Sequence, residues 1–143
     1  MSPKLSFSLD DDAEKLVKRY EQYLQGNAAG YFDVEEIEMI FEFYLQKGKT
    51  NKCQQLVDFG LRLHPASSLL KTKRAKMYLA MGETTKAYHI LTTQNVDITD
   101  YETGLLKVEA LLRLNKNNEA QALANSILSS EESDLDNIAL DLA

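Results

Sequence analysis

The sequence predicts an all-α fold built from helix–turn–helix units, on three observations. Apolar residues recur at spacings of three and four along almost the whole chain. No stretch sustains period-two alternation of β-branched residues, so no sheet is expected. Two segments, RAKMYLAMGETTKA (74–87) and KVEALLRLNKNNEA (107–120), superpose without a gap. With 143 residues, 44% hydrophobic, the chain has room for one domain with a core and is short for two. Six glycines and two prolines among many Leu, Ala, Glu and Lys argue against collagen-like, disordered or turn-rich all-β chains.

Residues 1–9 read as a flexible tail and 10–143 as one helical domain. Ala13, Leu16, Val17, Tyr20 and Leu24 share a face of a first helix over 11–25. Asp10 to Asp12 favour its positive N-terminal end, and Gly26 stops it. Asp33 and Glu36 form an Asp variant of the capping box. The helix they open carries Val34, Ile37, Met39, Ile40, Phe41, Tyr44 and Leu45, and ends at Gly48. The next starts near Thr50 and runs through Leu56, Val57, Leu61 and Leu63 to the helix-ending Pro65. Further helices are expected at about 67–81, 84–94, 100–114, 117–129 and 134 to the end. Thr99 with Glu102 is the expected capping pair of the helix at 100–114, and Ser133 the expected cap of the final helix. Short connectors make neighbouring helices antiparallel.

Charge and composition narrow the function classes. A net charge of −6 argues against non-specific binding to nucleic acid or anionic membrane. No apolar run reaches the roughly 18 residues of a membrane span, and MSPKLSFSLDDD lacks the apolar core of a secretory leader. One cysteine cannot form an internal disulfide, which fits a reducing compartment; the expected location is the cytoplasm.

The repeat organises the chain. Gly48 to Gly82 is 34 residues and Gly82 to Asn115 is 33. Cys53, Ala87 and Ala120 each stand five residues after those stops. Asn replaces Gly because both tolerate the left-handed conformation that closes a helix. The fullest unit is VEEIEMIFEFYLQKGKTNKCQQLVDFGLRLHP. Counted from Val34 as place one, Tyr44 is at eleven, Gly48 at fifteen, Cys53 at twenty, Gly60 at twenty-seven and Pro65 at thirty-two. This pattern resembles the tetratricopeptide repeat, of bacterial type, over units of about 34–67, 68–100 and 101–134. The resemblance implies a right-handed superhelix of stacked helix pairs. ESDLDNIALDLA reads as an incomplete fourth unit (134–143), and its Leu135, Ile138, Leu140 and Leu142 are no polar cap. The expectation is therefore a fragment of a longer array. Departures are physical: Phe41 occupies the usually small place eight opposite the reduced volumes of Cys53 and Gly60. Gln94 replaces a small residue in the second unit. Arg74 and Lys107 hold apolar places by their stems.

No constellation for catalysis, metal or cofactor is expected. His64 and His89 lack Glu or Cys at ligand spacing. Cys53 sits at a small core place, as an inert thiol would. Asp10, Asp11, Asp12 and Glu14 lack the glycine and spacing of a calcium loop. Glu35, Glu38 and Glu42 share a stripe but belong to no Glu-x-x-His pair. GNAAGYF is followed by no Lys-Ser/Thr, so it is not a phosphate loop.

The resemblance implies instead a binding groove, lined by first helices at places two, five, nine, twelve and thirteen. In the first unit these are Glu35, Glu38, Glu42, Leu45 and Gln46. In the second they are Leu69, Thr72, Lys76, Leu79 and Ala80; in the third, Glu102, Leu105, Glu109, Leu112 and Arg113. They describe an acidic rim and a leucine strip, suited to a protein or peptide partner with basic residues and apolar anchors. Glu38 and Glu42 stand where a carboxylate-clamping member would need a base and an amide, so a chaperone-tail clamp is disfavoured. The expected function is a non-enzymatic interaction module; the rival is a homodimer through the C-terminal helix.

Overall fold

A computed structural model describes residues 3–93 and 100–142, with side chains described for 11–93 and 100–130. Among the described residues all regular structure is helical: α1 (Pro3–Leu24), α2 (Val34–Gln46), α3 (Thr50–Leu63), α4 (Ser68–Ala80), α5 (Thr84–Thr93), α6 (Tyr101–Arg113) and α7 (Asn117–Leu142). Each helix packs on its neighbour in sequence. In addition α4 lies against α2, and α6 against α4, so α2, α4 and α6 form one row. Each of α4 and α6 thus sits against both helices of the pair before it.

The turns reproduce the sequence register in the backbone. Gly48, Gly82 and Asn115 have φ of 71°, 78° and 61°. Behind each, the next amide donates five residues back: Lys49 to the Tyr44 carbonyl (3.0 Å), Glu83 to Tyr78 (2.8 Å) and Lys116 to Leu111 (2.9 Å). This paired closure satisfies carbonyls that the helix end orphans, and its αL residue explains Gly or Asn there. Helix starts are also specified locally. Asp33 accepts from the Glu36 amide at 2.8 Å while Glu36 accepts from the Asp33 amide at 3.1 Å, a complete capping box.

Three boundaries differ from the sequence reading. α1 begins at Pro3, so Asp10 to Asp12 lie inside it; Pro suits a first helical position and no breaker intervenes before Asp11. Asp11 there pairs with Lys15 one turn on (3.2 Å). α6 is capped by Asp100, which accepts from the Thr103 amide at 3.1 Å; Thr99 lies outside the described residues, as does Gln94. α7 runs unbroken from Asn117 to Leu142, because Ser129 to Ser133 contain neither Gly nor Pro to stop it. The side chains of Leu135, Ile138, Leu140 and Leu142 lie outside the described ones.

Two apolar clusters hold the row together. The first joins α1 to α4 through Val17, Tyr20, Phe32, Ile37, Phe41, Tyr44, Leu56 and Phe59, and it is rich in edge-on aromatic pairs such as Tyr20–Phe32 (5.8 Å, 81°). The second, around Ala75, Leu79, Ala87, Ile90, Leu91, Leu106 and Ala110, joins α4, α5 and α6 with smaller residues. Gly60 sits at the closest approach in the first cluster: a Cβ there would lie 3.1 Å from Leu70 and 3.3 Å from Ile37. Its smallness lets α4 enter between α2 and α3. Arg74, partly buried at its register place, pairs with Asp58 of α3.

Candidate functional site

The α2–α4–α6 row brings some of the predicted residues of all three units together. Glu38 and Glu42 are one turn apart on α2, facing Lys73 and Lys76 of α4, with Glu102 of α6 on the far side. Lys73 is the centre. Its side chain is 3% exposed and its Nζ lies 3.2 Å from Glu38, 2.9 Å from Glu42 and 2.8 Å from Glu102. Lys76 donates to Glu42 at 2.9 Å and lies 3.5 Å from Glu102. Burial alone would lower the Lys73 pKa, but the hydrogen bonds to Glu102 and Glu42 outweigh it and raise it. Burial likewise pushes Glu42 up, and the hydrogen bonds from Lys73 and Lys76 win, leaving its carboxyl below the usual range. Lys73 and Glu42 are therefore both charged at neutral pH.

Above this network lies an open cleft of about 440 Å³, lined by Glu38, Ser68, Leu69, Thr72, Asp100, Glu102 and Thr103. Its floor is fixed by the Thr72–Thr103 hydroxyl pair (2.9 Å) and its α6 wall by Asp100, which also accepts from the Thr103 hydroxyl (3.1 Å). Three carboxylates line the cleft, Glu38, Asp100 and Glu102. The lysines that neutralise part of this charge approach from beneath.

The predicted residues divide accordingly. Glu38, Leu69, Thr72 and Glu102 meet in the cleft. Glu42 and Lys76 belong to the network under it, and Glu35 and Gln46 are exposed near the two ends of α2. The expected leucine strip is not one surface. Leu45 and Leu69 are partly buried against the first cluster, and Leu79 is 3% exposed within the second. Leu79 is a core residue because α6 covers that side of α4, and Thr72 is buried for the same reason. Only Leu105 and Leu112 of the strip are well exposed. Arg113 pairs with Glu109 and donates to the Leu79 carbonyl at 2.7 Å, tying α6 to the end of α4. Nor is the acidic rim a free stripe of like charge, since Glu38, Glu42 and Glu102 share the two lysines.

Sequence reasoning missed Lys73, Asp100 and Thr103. The signal for Lys73 was present: a Lys pair three apart on α4 matches a Glu pair four apart on α2, which predicts pairing between adjacent helices. Cys53 is buried and His64 is tied to the backbone. Burial pushes the Cys53 thiol up to about 11. His64 donates from Nε2 to the Phe32 carbonyl at 2.8 Å. Among the described residues no group of three His, Cys, Asp or Glu is placed to hold a metal, and no helix is long and apolar enough to cross a membrane. No protein-family model, curated protein or solved structure matches the chain.

Proposed function

We propose that the chain is a non-enzymatic interaction module whose helix pairs stack as a tetratricopeptide-like right-handed superhelix. The α2–α4–α6 cleft holds a basic segment of a partner protein, in a reducing compartment such as the cytoplasm. The repeated helix closures at Gly48, Gly82 and Asn115, and the row of first helices, support the repeat reading. The observation that carries the binding reading is the cleft itself, with Glu38, Asp100 and Glu102 at its edge and the Lys73 ammonium turned inward. A Lys or Arg side chain entering there completes the charge of the network, while Leu69 offers apolar contact; charge steers the encounter and burial holds the complex.

The test is a matched set of basic, neutral and acidic peptides titrated against the full chain at two salt concentrations. Basic peptides should bind best, with association slowing as salt rises. Asp100→Asn with Glu35→Gln should slow association and flatten that salt dependence. Acidic peptides binding as well as basic ones would refute the reading.

A further inference from the structure

Tyr78 and Lys86 stand one repeat after Tyr44 and Lys52, and the two pairs have the same shape. The Lys52 ammonium lies 5.3 Å from the centre of the Tyr44 ring, and the Lys86 ammonium 5.5 Å from that of Tyr78. In the first unit the pair holds a carboxylate. Tyr44 donates its hydroxyl to Glu21 Oε2 at 2.8 Å, and Lys52 donates to the same oxygen at 3.2 Å. The bond from Tyr44 holds the Glu21 carboxyl below its ordinary range, so the pair favours the ionised acid. α1 supplies that glutamate to a cavity of about 340 Å³, which Tyr44, Lys52 and Gln55 share with Tyr20 and Leu24.

In the second unit the helix before the pair supplies no such group. α3 carries one acid, Asp58, and it pairs with Arg74. Tyr78 and Lys86 line a cavity of about 420 Å³ between α4 and α5, together with Arg74, Thr85, His89 and Ile90. No carboxylate is among these residues. Among the described residues the Tyr78 and Thr85 hydroxyls and the His89 ring have no hydrogen-bond partner. Lys86 lies 3.0 Å from Glu83, three residues earlier, in a solvent-exposed pair that engages one of its three ammonium N–H groups. The donors that take a carboxylate in the first unit are thus repeated in the second around an opening.

We infer that the α4–α5 cavity receives a glutamate side chain of a partner protein, held by Tyr78 and Lys86 as Tyr44 and Lys52 hold Glu21. The Arg74 charge is already met by Asp58, so selection rests on the Tyr–Lys pair. His89, where the first unit has Gln55, adds a ring N–H, and Ile90 with the Tyr78 ring gives the stem an apolar wall. Arg74 and Tyr78 each stand two residues after Thr72 and Lys76, which puts the cavity on the side of α4 away from the acidic cleft. One carboxylate held by exposed donors binds weakly, at a Kd of roughly 1 mM, so acidic peptides do not rival basic ones through this site.

The probe is glutamate capped at both ends, N-acetyl-glutamate N-methylamide, titrated at constant ionic strength into the isotope-labelled full chain. Saturable NMR shifts should centre on Tyr78, Lys86 and His89, and the glutamine analogue should give none. Tyr78→Phe keeps the ring and should weaken binding roughly fivefold, as loss of a hydrogen bond to a charged group does. Glu83→Gln, which frees Lys86, should tighten it. Far-UV circular dichroism should be unchanged in both variants. Four results overturn the proposal: no saturable shift at about 50 mM, well above that Kd; equal shifts with the glutamine analogue; unchanged binding to Tyr78→Phe; or tighter binding of butyrate or inorganic phosphate at the same residues, which would make a free anion the occupant.

Discussion

Replacing Lys73 by Met isolates the worth of the charge network, since Met keeps most of the buried stem and removes the ammonium. Removing one partner of a buried ion pair costs about 3–5 kcal/mol. Here the three carboxylates are 32–43% exposed and can be rehydrated, and Lys76 still reaches two of them. The expected loss is therefore about 2–3 kcal/mol. For a chain of this length that lowers Tm by roughly 6–12 °C. Thermal and urea unfolding followed by circular dichroism at pH 7 would measure it. The pH dependence carries a second check. Glu42 titrates lower in the folded state than unfolded, so its contribution is present above about 4.3 and is lost as pH falls through the lowered value. Lys73 titrates higher when folded, so its contribution is present below about 10.4 and is lost as pH rises through the raised value. The gap between the natural chain and Lys73→Met should be widest between those limits and shrink in acid. A variant as stable as the natural chain, or a gap that persists unchanged at pH 3, would refute this account of the network.

Leu79→Ala should cost about 2–4 kcal/mol in urea unfolding, because it opens a cavity between α4 and α6; a surface-like loss below about 0.5 kcal/mol would contradict its burial. The Cys53 thiol, pushed up to about 11 by burial, should react with a thiol reagent at neutral pH only as fast as the chain opens, and promptly in denaturant. Rapid modification of the folded chain would contradict that. Tyr44→Phe removes the hydroxyl that donates to Glu21 at 2.8 Å between α2 and α1, and should cost about 1 kcal/mol. An unchanged unfolding midpoint would show that Lys52, which also donates to Glu21 at 3.2 Å, satisfies it alone.

The parts of the fold legible in the sequence are those decided within a turn or two of chain. The Asp33–Glu36 box and the stops at Gly26, Gly48, Gly82 and Asn115 each depend on local backbone geometry, so residue type sufficed. Boundaries without such punctuation were not legible. Nothing at Ser129–Ser133 forces or forbids a break, and continuation is the cheaper outcome when no αL residue is supplied. The site was half legible. Register put Glu38, Leu69, Thr72 and Glu102 on one surface, yet exposure depends on which helix covers which side. Leu79 and Leu112 share a place, and one is core while the other is surface, a difference set by α6 rather than by the residue. Lys73 was missed because a lysine reads as surface by type, whereas three carboxylates from two other helices offset the cost of its burial.

Charges along the row also explain how three similar units keep their order. The ninth place carries Glu42, Lys76 and Glu109 in turn, but across the α4–α6 junction Lys76 meets Glu102, while Glu109 pairs with Arg113 of its own helix. Lys76 touches Glu42 on one side and Glu102 on the other, and Lys73 does the same from below. Had the units been identical, like charges would have faced each other across every junction, a cost rather than a gain. With its two lysines between Glu38 and Glu42 of α2 and Glu102 of α6, α4 is favoured between two acidic faces, and α2 against α6 is penalised. Apolar burial drives the helices together without choosing among them; the alternating charge supplies the choice.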